Sequence, residues 1–336
     1  MKLAFLELPN EERQLYFEQA AARRGLSAVV LEKDFWVCWL LGVLYRSEFR
    51  ESLVFKGGTS LSKVFRVIER FSEDIDLSVS PSLLGLPEAG ASRNQGNKWM
   101  TLAESACAEA VQNQFQPALE AEVRGVLGKP GRGAWFEFAA DANSGSPNLL
   151  FHYPSHQPTG FDYLRRAVKL EFGSLTDQQP VGRYAITPWL IDALPNAIPN
   201  WQCNVVALGL DRTFWEKATI LHAEHHRPAG KPTPDRFSRH YADVAALALH
   251  PATQPTIADV EACKRVVRWK RLFFGSAWAN YETARHGSFR LLPSDERVQA
   301  LRRDFAAMRA MYLAEPPSFD AVLETVSALE RRINER

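Results

Sequence analysis

The stretch that most restricts what this chain can fold into runs from Val54 to Val79, VFKGGTSLSKVFRVIERFSEDIDLSV. The residues ESLVFKGG form a short strand stopped by Gly57 and Gly58. In TSLSKVFRVIERF the residues Leu61, Val64, Phe65, Ile68 and Phe71 recur at helical spacing. DIDLSV then alternates strictly between polar and apolar, as a half-buried strand does. Strand, helix and strand in so short a span demand a sheet, and the rest of the chain must supply its other strands.

AWFEFAA, LLFHYP and RAVKLEFGS provide such strands, the last with Val168, Leu170 and Phe172 on one face. The sheet they predict is mixed rather than doubly wound. Upstream, residues 10–47 predict two or three helices. Ser27 is a candidate cap there, and Val30, Phe35, Val37, Leu40, Leu41 and Leu44 are candidate core positions. PSLLGLPEAGASRNQGNK is rich in Gly, Pro, Ser and Asn, which predicts a long loop before a helix over 100–114. After Trp201 the pattern turns helical: DRTFWEKATILHAEHHR, RFSRHYADVAALALH, TIADVEACKRVVRWKRLFF and VQALRRDFAAMRAMYL are separated by Pro- and Gly-bearing turns. The expected organisation is a mixed α+β domain with N-terminal helices over 1–206 and a helical domain over 207–336.

Of the 336 residues 46% are hydrophobic and the formal net charge is +1, so charge alone selects no partner and disorder is excluded. The four cysteines are far apart and form no CxxC pair, which argues against a disulfide scaffold or a structural zinc site. The N-terminus turns polar too soon for a signal-peptide core, and no apolar run is long enough to span a bilayer. A cytoplasmic protein that does not engage membranes is expected.

A strand that ends in Gly57 and Gly58 and enters a helix through Thr59 and Ser60 offers backbone N–H groups and two hydroxyls at the positive end of a helix dipole. That arrangement binds phosphate, although strand, turn and capped helix also describe ordinary structure. Asp74 and Asp76 add a second feature. Residues two apart on a strand face the same side, so both carboxylates project together while Ile75, Leu77 and Val79 enter the core. Paired carboxylates repel unless a cation lies between them, and Mg²⁺ suits oxygen donors. In VKLEFG the same alternation puts Lys169 and Glu171 on one face, where Glu171 can act as a third metal-binding acid and Lys169 can contact a triphosphate. A solvated Lys and Glu on an exposed strand is the plainer alternative. The expected nucleotide-binding set is Gly57, Gly58, Thr59, Ser60 and Lys63. No GxxxxGK[ST] is present, so a P-loop kinase or ATPase is disfavoured.

These residues resemble the AbiEii/AbiGii toxin family, nucleotidyltransferase-like toxins of type IV toxin–antitoxin and abortive-infection systems within the polymerase β-like nucleotidyltransferase superfamily. GGTSLSKVFRVIERFSEDIDL carries the likeness, with EKDFWV (32–37), VKLEFG (168–173), DRTFWEKATILH (211–222), RHYADV (239–244), SFRLLP and LRRDFAAMRAMYL in the same order. The resemblance implies that Gly57 to Ser60 hold nucleotide phosphates and that Asp74 and Asp76 bind the metal. It places Lys169 at a basic position of a third motif and matches Asp211 and Lys217 to a fourth. Asp211 would orient or deprotonate the attacking hydroxyl, and Lys217 would neutralise phosphate charge.

The implied reaction is Mg²⁺-dependent transfer of a nucleotide from an NTP to RNA, at the tRNA 3′ end, which stops translation. The resemblance also implies a cognate antitoxin encoded nearby. Phosphorylation of Ser60 or Thr59 is one route to restraint, because a dianion would occupy the phosphate cradle. Alternatives are modification of a protein or small molecule, and a non-catalytic nucleotide-binding module. Locally, Thr213 and Glu216 read as a capping box. Arg236, Arg239 and Asp243 share a helix face, where an Arg–Asp pair competes with nucleotide contact. Lys264, Arg265, Arg268, Lys270 and Arg271 around Trp269 form a candidate RNA surface. His222, His225 and His226 lack the acid a recognised metal pattern needs.

Overall fold

Seven strands hydrogen-bond into one mixed sheet: β1 (Leu53–Lys56), β2 (Ile75–Val79), β3 (Phe136–Ala140), β4 (Pro147–Phe151), β5 (Val168–Gly173), β6 (Val181–Ala185) and β7 (Asn204–Leu208). Their order across the sheet is β3-β4-β5-β2-β1-β7-β6. β1 runs antiparallel to β2 and parallel to β7, and β2 is parallel to β5. The computed structural model describes residues 3–87, 93–131, 133–141, 145–155 and 166–335.

The chain clusters into two compact units. The first comprises Met1–Val64, Ser72–Glu88 and Met100–Ala207, and the second Phe65–Phe71, Ala89–Trp99 and Leu208–Arg336. A single cut at 206 therefore leaves out two excursions of the first half into the second unit. The helices are α1 (Ala4–Glu7), α2 (Asn10–Arg24), α3 (Ala28–Leu44), α4 (Gly57–Lys63), α5 (Arg93–Ala110), α6 (Gln116–Leu127), α7 (Trp189–Ala193), α8 (Leu210–His225), α9 (Ser238–Leu249), α10 (Val260–Phe273), α11 (Asp295–Ala307) and α12 (Phe319–Asn334).

α3 is the axis of the first unit. Every residue from Leu31 to Leu44 is buried, the apolar majority as expected of a core helix and the charged Glu32, Lys33 and Asp34 with them. Trp36 packs edge-on to Trp39 and stacks on Tyr153. Val30, at the helix start, is half-buried, and Ser27 occupies the cap position without a capping hydrogen bond from its side chain.

Three segments depart from the sequence reading. The helix after the glycines ends at Lys63 and not at Phe71. Arg66 takes a left-handed backbone (φ 53°), and Phe71 donates its N–H to the carbonyl of Met311. Ile68 and Phe71 are thus buried by tertiary contacts of the second unit. The helix expected from Met100 begins at Arg93, inside the stretch read as loop. Residues 88–92 of that stretch lie outside the described residues. α8 begins at Leu210 with Gly209 as its cap, so there is no capping box. Thr213 Oγ1 donates to the Gly209 carbonyl, and Glu216 accepts from Arg212.

Burial also sets a pH dependence. Glu32, on α3, is 6% exposed, and its carboxyl is pushed up to about 7 by burial, against the opposing pull of the Ser155 hydroxyl, Arg13 and Arg166. A raised carboxyl means that the folded chain holds a proton the unfolded chain has released. Stability is therefore lost as pH rises from the ordinary carboxylate value through about 7. In urea melts at pH 5 and pH 8, the wild type should lose stability relative to Glu32→Gln by a few kcal/mol. Parallel pH profiles would refute it.

Candidate active site

The turn between β1 and α4 and the start of β2 are built as a single piece. β1 and β2 pair so that Lys56 lies opposite Asp76, and the parallel register of β2 with β5 sets Asp76 beside Glu171. Gly57 has φ +79°, in the left-handed region, and a Cβ built on it would lie 2.0 Å from Asp76 Oδ2. Both conditions demand glycine. Thr59 Oγ1 donates to the Asp74 carbonyl at 2.5 Å and meets Ser72 Oγ at 2.9 Å, while Ser60 Oγ donates to the Gly57 carbonyl. Thr59 and Ser60 are fully buried, and their hydroxyls bond within the turn and to the segment that enters β2.

Asp74 and Asp76 are half-buried. The Asp74 carboxyl is pushed up to about 6, first by burial and then by the charges of Asp76 and Glu73, with Lys169 and Lys33 opposing. Lys169 bonds Glu171 at 2.8 Å and lies 3.5 Å from Asp141. Burial pulls Lys169 down, but Glu171, Asp74 and Asp141 together push it up. Asp74, Asp76, Lys169 and Glu171 thus share one electrostatic neighbourhood. Glu171 is turned to Lys169, and among the described residues no three acidic, histidine or cysteine side chains gather as metal ligands. In this structure Glu171 is held by Lys169, its neighbour on the same strand face, rather than gathered with Asp74 and Asp76 as a group of three donors. Two oxygen-donor side chains remain, Asp74 and Asp76. They fit Mg²⁺, which takes one or two carboxylates together with substrate phosphates.

Lys63 is buried, donates to both Asp34 oxygens (2.8 and 3.0 Å) and lies 4.6 Å from the centre of the Trp189 ring, so in this structure its ammonium is engaged by Asp34. Asp211 and Lys217 belong to the second unit. Asp211 is half-buried in the first turn of α8. Lys217 is buried and donates to Asp243 Oδ2 at 2.9 Å. Asp243 receives Arg70 through two further bonds of 2.9 Å, so its partners are these two and not Arg236 or Arg239. Sequence reasoning missed Arg70, because 173 residues separate it from Asp243. His222 and His225 are held by backbone carbonyls of Asn280 and Leu292.

Gly57→Ala tests the fit of turn to acid. Forcing an alanine into a left-handed conformation costs about 1–2 kcal/mol, and the methyl group must also displace Asp76. Gly25→Ala is the control, since Gly25 has φ +66° with open space around it. Both variants should lose comparable stability from the backbone. Only Gly57→Ala should lose catalysis, by about 100-fold, as misplacement of a reacting group by about 1 Å does.

A mixed sheet that carries a glycine turn against two carboxylates is the arrangement of a nucleotidyltransferase. The chain belongs to the AbiEii nucleotidyl transferase toxin family of type IV toxin–antitoxin systems, whose profile matches residues 39–325. Membership implies a nucleotide substrate and an antitoxin. No curated protein matches the chain. Among solved structures, MenT4, the nucleotidyltransferase toxin Rv2826c from Mycobacterium tuberculosis H37Rv, is similar with a TM-score of 0.51. The match covers 95% of this chain and 90% of that one at 16% identity, and it speaks to the fold. Among the described residues no helix is long and apolar enough to cross a membrane.

Proposed function

We propose that this chain is a Mg²⁺-dependent nucleotidyltransferase that moves a nucleotide from an NTP to RNA, at the tRNA 3′ end, and thereby blocks translation. The fit of Gly57 against Asp76 carries the reading: a turn suited to phosphate is locked to a carboxylate suited to metal. Asp74 and Asp76 hold the ion. When bound, Mg²⁺ supplies positive charge to the phosphate oxygens and favours ionisation of the attacking hydroxyl. The first-turn N–H groups of α4, which a helix leaves without intrahelical acceptors, take the phosphates. Lys169, already among acids, adds a cation for the triphosphate. The acceptor oxygen forms a bond to the α-phosphorus, the bond to the bridging β-oxygen breaks, pyrophosphate leaves with the electron pair, and the hydroxyl proton is released.

The RNA acceptor draws support from α10, where Lys264, Arg265, Arg268 and Arg271 are exposed. Lys264 pairs with Glu261 and Arg271 with Glu282, which tempers the surface but leaves it basic. The test is label transfer from each of four α-³²P NTPs to total tRNA with Mg²⁺. Labelling from one of them names the nucleotide. Labelling that appears on protein or on a small molecule would replace the acceptor while keeping the enzyme, and nucleotide binding without any labelling would leave a binding module. Charge reversal at Arg268 and Arg271 should weaken RNA labelling and spare NTP binding.

A further inference from the structure

Two consecutive charged residues inside α3 reach opposite limbs of the acid turn. Lys33, 2% exposed, places Nζ 2.5 Å from Glu73 Oε2, next to Asp74. Asp34, also 2% exposed, takes Lys63 from the end of α4 on both oxygens and accepts the Trp189 N–H at 2.7 Å. Adjacent residues on a helix point about 100° apart, so the two pairs leave α3 from different sides. Thr59 closes the ring through the Asp74 carbonyl. Both limbs, the glycine turn and the segment that enters β2, are therefore tied to one turn of a helix that cannot shift without disturbing the whole core.

Stability alone does not account for these pairs. Taking two ions out of water offsets most of their attraction, and an apolar pair of similar size usually folds as well. Glu73 and Lys33 also act on Asp74 with opposite sign. We propose that Lys33 and Asp34 are positioning residues for Asp74 and Asp76: Asp34 fixes the glycine turn through Lys63, and Lys33 holds Glu73 aside and cancels its charge, so that two carboxylates and not three face the cation. This rests on the reading of Asp74 and Asp76 as the metal and nucleotide site.

The experiment compares the full-length wild type with Lys33→Met/Glu73→Gln, which removes both charges and retains bulk. Mn²⁺ binding is read by electron paramagnetic resonance with an equimolar mixture of the four α,β-methylene NTPs. Melting temperature and the kcat and KM for label transfer are measured alongside. The expected result is a melting temperature within a few degrees of wild type, Mn²⁺ affinity changed at least fivefold and kcat lowered at least tenfold. Asp34→Asn/Lys63→Met should behave alike, with its loss mainly in nucleotide KM. Wild-type affinity and kcat in a folded double variant would overturn the proposal, as would a collapse of the melting temperature, since the pair would then hold the fold and not the site. Wild-type protein that binds no Mn²⁺ would overturn the reading of the site itself, which is visible before any variant is compared.

Discussion

Asp76→Asn should reduce nucleotide transfer at least 1000-fold while leaving the melting temperature close to that of wild type. The size follows from the metal-binding role proposed for this carboxylate. A metal contributes several kcal/mol of charge stabilisation in phosphoryl chemistry, and about 4 kcal/mol is a thousandfold in rate. Stability should not fall, because removing one of two adjacent acids relieves repulsion: Asp76 pushes the neighbouring Asp74 carboxyl up. The amide keeps the shape that Gly57 is fitted to, so the turn is not disturbed. Label transfer by wild type and variant at several Mg²⁺ concentrations decides the matter. A variant with more than a tenth of wild-type activity at saturating Mg²⁺ would remove Asp76 from the metal assignment, whatever the acceptor proves to be.

The site was legible where local rules apply and illegible where partners are distant in sequence. Alternation exposed β2 and β5, and hence the shared face of Asp76 and Glu171, because a strand's period of two leaves no choice of side. Gly57 marked the turn, since only glycine tolerates both its left-handed φ and the approach of Asp76. The partner of Lys63 was illegible, because a lysine beside a phosphate-type turn suggests a phosphate contact and the Asp34 that engages it lies 29 residues upstream. The end of α4 was missed because Ile68 and Phe71 keep helical spacing for a different reason, burial by contacts in the second unit. β6 is a short strand at the sheet edge with exposed alternate positions, and β7 is defined by parallel pairing with β1, so neither announces itself locally. α12 could have been found: Phe319, Val322, Val326, Leu329 and Ile333 recur at helical spacing and are all buried.

Asp243→Ala is expected to destabilise the second unit by roughly 3–5 kcal/mol, the cost of stripping a buried ion cluster of its counter-charge. Asp243 is 1% exposed and receives three hydrogen bonds, two from Arg70 and one from Lys217. Burial alone would raise its carboxyl, but the guanidinium and the ammonium hold it well below the usual carboxylate range. A depressed carboxyl stabilises the fold above its unfolded value, so the effect is fully present at pH 7 and fades as the solution is acidified past about pH 4. With alanine in place, two cations face each other in a water-poor interior and one must be expelled or neutralised. Lys217→Met should cost much less, because the two-bond Arg70–Asp243 pair survives and the methionine fills the lysine's volume. Urea unfolding of both variants at pH 7 gives the comparison, and equal losses would mean that Arg70 and Asp243 do not hold each other as the geometry indicates. The same Lys217→Met protein separates two roles. If it folds and transfers nucleotide at the wild-type rate, Lys217 anchors α8 to α9, whereas a folded protein without transfer would return Lys217 to the phosphate-binding set that the fourth motif implies.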